Sequence, residues 1–334
     1  MRTTSTTAGL GAALLAALSF GTSGAFVKPL LEAGWSPAAA VTARALIAGL
    51  VLLPFVLLSL RGRRPALWRG RWRVLGMGMF GVAFTQGAYY SAIERIPVST
   101  ALLVEYLAPL LLVGYAWAAT RRAPGPTVLL GSALAIGGLV LVIGPGALQA
   151  VDPVGLALAA SAAVGCALYF AIAARPADDL PPVALAGAGL LLAGVVLAVA
   201  GATGLLPFTA TFGDLPLFGA NLPWWVPLLI VAVVATALAY ASGIAASSLL
   251  GSRLASFVGL LEVVFASVFA WLLLDEKLTA IQLVGGALIL AGIAAVRTER
   301  VRRADHPSPA AGGVPAGDAA DSGTGVEAPP VLRR

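Results

Sequence analysis

Residues 128–142 read VLLGSALAIGGLVLV, and residues 282–296 read QLVGGALILAGIAAV. At a shift of 154, six of these fifteen positions are identical: Leu129/Leu283, Gly131/Gly285, Ala133/Ala287, Leu134/Leu288, Gly138/Gly292 and Val142/Val296. Both copies lie in apolar segments long enough to span a bilayer. A duplicated membrane domain commonly builds a pathway between its halves, so a transport protein is the first hypothesis.

Composition agrees. Apolar residues make up 59% of the chain and charged residues 11%, against roughly 25% charge in a soluble domain. A soluble fold would have too little polar surface, so the composition predicts an all-α integral membrane protein. The single cysteine, Cys166, excludes an internal disulfide framework and a cysteine metal cluster. The single histidine, His306, lies in the tail, which excludes histidine triads and HExxH zinc sites. No Walker A pattern is present, and no cofactor or metal is expected. The formal net charge of +6 does not indicate nucleic acid, because the arginines cluster at span ends.

About 20 apolar residues cross a hydrocarbon core of roughly 30 Å. Ten segments qualify: 8–27, 38–60, 74–93, 98–119, 127–144, 154–173, 183–202, 224–246, 254–274 and 279–296. The first reads as a span rather than a cleaved signal, since no small-residue cleavage site follows it. With the N-terminus cytoplasmic, seventeen basic residues fall inside and three, Lys28, Arg95 and Lys277, fall outside. This bias fits the positive-inside rule. Five spans per half make the second half enter the membrane upside down. The expected fold is therefore ten transmembrane helices in two inverted five-helix repeats, 8–144 and 154–296, with both termini cytoplasmic. Residues 304–334, rich in Ala, Gly, Pro, Ser and Asp, predict a disordered cytoplasmic tail.

Trp68 and Trp72 on one side, and Trp35, Trp224 and Trp225 on the other, are expected as an aromatic belt. The loop 203–223 lies either in the interface or over the outer mouth. Gly131, Gly138, Gly285, Gly286 and Gly292 permit close helix approach and offer a face for a homodimer.

Three ionisable residues remain inside spans: Arg44, Glu105 and Glu262. Each costs roughly 2.5–3.5 kcal/mol on insertion scales, so each should face a cavity or a partner. Each lies about seven or eight residues from a span end, roughly 10–12 Å deep at 1.5 Å per residue. At the shift of 154, Glu105 corresponds to Gly259 and Glu262 to Ala108, which sets the acids one helical turn apart on equivalent helices. The expected site is central. One carboxylate takes up a proton or holds a cationic group, and Arg44 supplies the counter-charge. Desolvation opposes a carboxylate's charge and a nearby cation favours it, and this competition suits a proton carrier. Gln86, Tyr89, Tyr90, Tyr106, Trp117, Tyr169 and Tyr240 are candidates to complete the cavity. Pro109, four residues after Glu105, removes a helix hydrogen bond and is expected to kink its span.

These residues carry a resemblance. Leu103-Val104-Glu105-Tyr106-Leu107-Ala108-Pro109 resembles the fourth-span motif of the EamA family of the drug/metabolite transporter superfamily. Leu260-Leu261-Glu262, then Ala270-Trp271-Leu272-Leu273-Leu274-Asp275-Glu276, resembles its second-half counterpart, followed by Gln282 and Gly285-Gly286-Ala287-Leu288. Arg44 is similar to the family's second-span arginine. Val263 stands where relatives often have proline, and Phe20 and Cys166 stand where tryptophan is common. The resemblance covers residues 8–296. It implies two EamA repeats and export of small metabolites, amino acids or drugs by proton antiport.

The expected function is a secondary transporter in a bacterial plasma membrane, working by alternating access on a small-molecule substrate with a coupling proton. A channel or non-transporting receptor is the alternative, separated from it by saturable transport that collapses with the pH gradient. An intramembrane enzyme would need clustered aspartates, and Asp178-Asp179 has no DxxxD companion.

Overall fold

The structure is a computed structural model and describes residues 2–93, 95–96, 98–121, 123–144, 152–175, 180–217, 220–274 and 279–305. The first half contains α1 (Arg2–Gly21), α2 (Ser23–Glu32), α3 (Pro37–Ser59), α4 (Arg64–Arg69), α5 (Arg71–Gly76), a π-helix (Met77–Phe84), α6 (Thr85–Ile93), α7 (Val98–Glu105), α8 (Ala108–Thr120) and α9 (Pro126–Ile143). The second half contains α10 (Pro153–Ala173), α11 (Pro182–Ala202), strands β1 (Asp214–Leu217) and β2 (Ala220–Pro223), α12 (Trp225–Ala232) and a second π-helix (Val233–Leu238). It ends with α13 (Ala239–Leu250), α14 (Ser252–Gly259), α15 (Leu261–Leu274) and α16 (Ala280–Asp305).

Among the described residues, eight helical stretches are long and apolar enough to cross a membrane: Thr6–Glu32, Pro37–Ser59, Ala101–Thr120, Pro126–Ile143, Pro153–Ala173, Pro182–Ala202, Trp225–Leu250 and Ser252–Leu273. Ala280–Val296 is a shorter apolar helix. The remaining expected span, 74–93, is helical but is divided by the first π-helix. Two expected ends shift. The first span runs on to Glu32. The last helix continues to Asp305, so Ala304 and Asp305 are helical rather than disordered. The rest of the expected disordered tail, and the loop acids Glu94, Asp178, Asp179, Asp275 and Glu276, lie outside the described residues.

Local chemistry starts the helices where the sequence punctuates them. Pro37, Pro126, Pro153 and Pro182 open α3, α9, α10 and α11, where a missing N–H is harmless. Ser36 caps α3 by accepting from the Ala39 amide at 3.2 Å, and Asp152 caps α10 by accepting from the Val154 amide at 2.9 Å.

The two copied stretches run antiparallel and touch. A Cβ on Gly131 would lie 2.7 Å from the Gly292 carbonyl oxygen, and one on Gly285 would lie 2.6 Å from the Gly138 carbonyl oxygen. The contact is reciprocal, because Gly131 is the counterpart of Gly285 and Gly138 of Gly292. Helices α3 and α11 repeat the arrangement. Gly49 packs on Leu191 and Gly194 packs on Leu46, which relates these helices by a shift of 145. Likewise α1 packs on α13 while α6 packs on α10. Backbones approach this closely only where side chains are absent. Gly131, Gly138, Gly285 and Gly292 are thus taken up inside one chain and offer no homodimer face.

The second half also carries the one departure from an all-α chain among the described residues. Strands β1 and β2 pair antiparallel, from Asp214 opposite Pro223 to Leu217 opposite Ala220. The hairpin packs on the α2–α3 turn. The Trp35 indole donates to the Thr211 carbonyl at 2.6 Å, and the Thr211 hydroxyl donates to the Ala33 carbonyl at 2.7 Å. Trp35 meets Phe212 edge to face, packs at a tilt on Trp224 and is buried, so it belongs to this small core and not to a lipid-facing belt. Trp68 and Trp72 are exposed, as expected. Strand β1 and the residues just before it therefore pack over the α2–α3 turn.

Candidate functional site

Both spans that carry a glutamate are broken at the same place. The first breaks at Tyr106 and Leu107, between α7 and α8. Pro109 has no N–H to offer the Glu105 carbonyl, and the chain crosses the gap with tighter bonds, Leu107 N–H to Val104 at 3.1 Å and Leu110 N–H to Leu107 at 2.9 Å. The second breaks at Leu260, between α14 and α15, with Leu260 N–H to Phe257 and Val263 N–H to Leu260, both at 3.2 Å. Leu260 is the counterpart of Tyr106 at the shift of 154. The second break needs no proline, so Val263 does not prevent it. Gly259, a poor helix former, stands beside it with the Phe170 ring 3.2 Å from where its Cβ would be.

The breaks give the glutamates different settings. Glu105 is the last residue of α7, and Glu262 lies in the first turn of α15. A helix is partially positive at its N-terminus and partially negative at its C-terminus. Glu262 therefore meets a complementary helix end, and Glu105 an opposing one. Both side chains are partly buried. They are close enough for their charges to act on one another, and the Tyr106 side chain faces Glu262.

Arg44 is buried on α3. Its guanidinium donates to the Ser23 hydroxyl at 3.1 Å and to the Gln86 amide oxygen at 2.9 Å. Among the described residues no carboxylate makes an ion pair with it, so it is not the direct partner expected for either glutamate. Its charge still acts on both. Arg44 instead ties α3 to α2 and α6. Arg44→Ala would leave a partly buried amide oxygen without its donor, at a cost of about 1 kcal/mol. The expected result is a lower yield of folded protein by fluorescence size-exclusion chromatography, with transport per folded molecule also reduced. Normal transport per folded molecule would reduce Arg44 to a helix tie.

Aromatic rings form the floor. Phe20 meets Tyr240 edge to face at 5.1 Å, Tyr240 meets Tyr169 at 5.7 Å, and Tyr169 meets Phe170 at 4.9 Å. Phe20 thus supplies an aromatic face where relatives often place tryptophan. The Tyr169 hydroxyl is buried and has no hydrogen-bond partner among the described residues. Tyr89 meets Tyr90 at 5.3 Å on α6, and Tyr90 and Gln86 line a small cavity with Val41 and Leu206. Trp117 is not part of this site. It lies twelve residues beyond Glu105 and lines a separate cavity with Arg253.

Sequence reasoning missed the π-helices that flank the site. A buried threonine accompanies each, Thr85 just after the first and Thr236 within the second, and its hydroxyl donates to the carbonyl five residues earlier: Thr85 to Phe80 at 2.7 Å, and Thr236 to Val231 at 2.8 Å. The shift between them is 151. The signal available was a threonine at matching places in two apolar spans. Between Gly49/Gly194 and Thr85/Thr236 the shift rises from 145 to 151, so the second half is longer in the connection that carries the hairpin.

The half-helices are arranged unequally. On one side of the breaks α8 packs against α14. On the other side α7 packs on α10, while α15 packs on α1 and α2. On one side of the glutamates the two half-helices thus pack on each other, and on the other side they pack on different helices.

Comparisons with known proteins agree with this architecture. The EamA-like transporter family matches the chain twice, over residues 7–144 and 153–298. The protein named "Uncharacterized inner membrane transporter YicL" of Salmonella typhimurium is 26% identical over 309 residues, covering 90% of this chain and 98% of that protein. A solved crystal structure superposes with a TM-score of 0.69 at 20% identity, over 91% of this chain and 100% of that one, a likeness of fold. Two family matches that together span most of the sequence, on a helical fold with broken, glutamate-bearing spans, place the chain in the EamA-like transporter family.

Proposed function

We propose that the protein is a proton-coupled exporter of a small metabolite, amino acid or drug that bears a cationic group. It has ten membrane-crossing helices in two inverted repeats, 8–144 and 154–296. It lies in a bacterial plasma membrane with both termini cytoplasmic. The reciprocal antiparallel contacts of α9 with α16 and of α3 with α11 support the inverted arrangement, and the name of the Salmonella relative supports the location.

The observation that carries the reading is the pair of breaks, each with a glutamate beside it. A broken helix frees backbone groups at mid-depth, where they and nearby side chains can take a solute. Glu262, at a positive helix end, holds the cationic group. Glu105, at a negative helix end, exchanges the proton. Tyr106, Tyr240 and the unpaired Tyr169 hydroxyl contact the solute, and Arg44 with Gln86 holds the opposite wall. In alternating access α8 and α14 separate as α7 and α15 converge.

Comparative metabolite profiling of cells with and without the gene identifies the solute, which should accumulate inside cells lacking it. In proteoliposomes, dissipating the proton gradient should then abolish concentrative movement. Downhill flux that ignores the gradient would contradict proton coupling.

A further inference from the structure

A third cavity has neither glutamate in its lining. It is a groove of about 920 Å³ between α8, α10 and the start of α14. Its walls are apolar, with Leu111, Tyr115, Val164 and Leu168 all exposed. Arg175 and Arg253 stand at one end, and no acidic residue lines it among the described residues. Arg175 is held in place from behind, because the Arg73 guanidinium donates to the carbonyls of Ile172 and Arg175, both at 3.3 Å.

We propose that this groove binds an anionic phospholipid of the leaflet on the arginine-rich side. Three observations converge. First, the groove follows α10 from Val164 to Arg175, about 16 Å at 1.5 Å per residue, close to half of a hydrocarbon core of roughly 30 Å. It therefore spans one leaflet. Second, Val164 and Leu111, at the end of the groove remote from the arginines, are exposed, so apolar surface is available to an acyl chain along the whole groove. Third, its cations sit together at the end where a headgroup would lie. An acyl chain covers the apolar wall while the two guanidinium groups bond the phosphate. The occupied groove braces α8, α10 and α14, on the side of the glutamates where α8 packs against α14.

Native mass spectrometry of the full chain in detergent with dioleoyl phosphatidylglycerol tests this. The wild type should retain the lipid, and phosphatidylcholine should bind weakly. Arg175→Gln with Arg253→Gln should weaken retention by about tenfold or more, as removal of two cations from an anionic headgroup implies. Ala171→Trp, which fills the groove and keeps both arginines, should weaken it independently, with size-exclusion profiles verifying the fold. Arg61→Gln with Arg63→Gln, outside the groove, should leave retention unchanged. Equal retention in the groove variants, equal loss in the Arg61/Arg63 variant, or displacement of the lipid by inorganic phosphate would each overturn the proposal.

Discussion

Gly138→Leu is expected to unseat α16 from α9 and to lower the melting temperature of the detergent-solubilised protein by roughly 5–10 °C. The Cβ that any other residue brings to position 138 collides with the Gly285 carbonyl oxygen, and the Ile289 amide nitrogen is 2.8 Å away. Both obstacles are backbone, so no rotamer change relieves the clash and the helices must move apart. Separation also loosens the reciprocal contact at Gly131 and Gly292. Gly137 provides the control. Nothing lies within 4 Å of a Cβ built there, and Gly137→Leu should change stability by no more than about 0.5 kcal/mol. A thermal-shift assay on the two variants decides it: equal melting temperatures would mean that α9 and α16 do not pack as described.

Glu262→Gln is expected to reduce transport by about tenfold or more while leaving insertion and melting temperature near those of the wild type. The amide keeps the size of the side chain and loses its charge. If the carboxylate holds the cationic part of the solute, the loss falls on transport and not on folding, because no ion pair is broken among the described residues. Glu105→Gln should differ in kind. It should retain downhill exchange of solute but lose acceleration by an imposed pH gradient, since the proton is the group it would no longer carry. Both fluxes are read in proteoliposomes with the solute found by metabolite profiling. Normal gradient-driven transport by Glu262→Gln would make that residue structural.

Much of this architecture was legible in the sequence because membrane spans announce themselves by composition. The copied stretches at 128–142 and 282–296 located two helices that meet, although sequence alone offered their glycines to a second copy of the chain rather than to one another. Glu105, Glu262 and Arg44 stood out as charges inside apolar runs. The breaks were half legible. Pro109 marked the first, whereas the second rests on Gly259 and its packing against Phe170, which only tertiary structure reveals. The partners of Arg44 were misjudged for a related reason. Charge suggested a carboxylate, but Ser23 and Gln86 on neighbouring helices satisfy the guanidinium instead. Trp35 reads as a belt residue in the sequence because nothing local announces the hairpin that buries it. The π-helices were invisible because an extra residue in a turn leaves an apolar span equally apolar.

The reciprocal contacts between the halves also constrain how the molecule is made. Helix α9 packs on α16, α3 on α11 and α1 on α13, so each of these early helices finds its main neighbour in the later half. On the ribosome α9 is complete at Ile143, long before Ala280 begins α16. The helices of the first half must therefore wait in the bilayer with glycine faces uncovered until those of the second half arrive. Assembly is then a late event, completed when the last span inserts. Nascent chains halted before Ala280 should be the form most readily captured by membrane quality-control proteases, and a separately expressed second half should be able to rescue them.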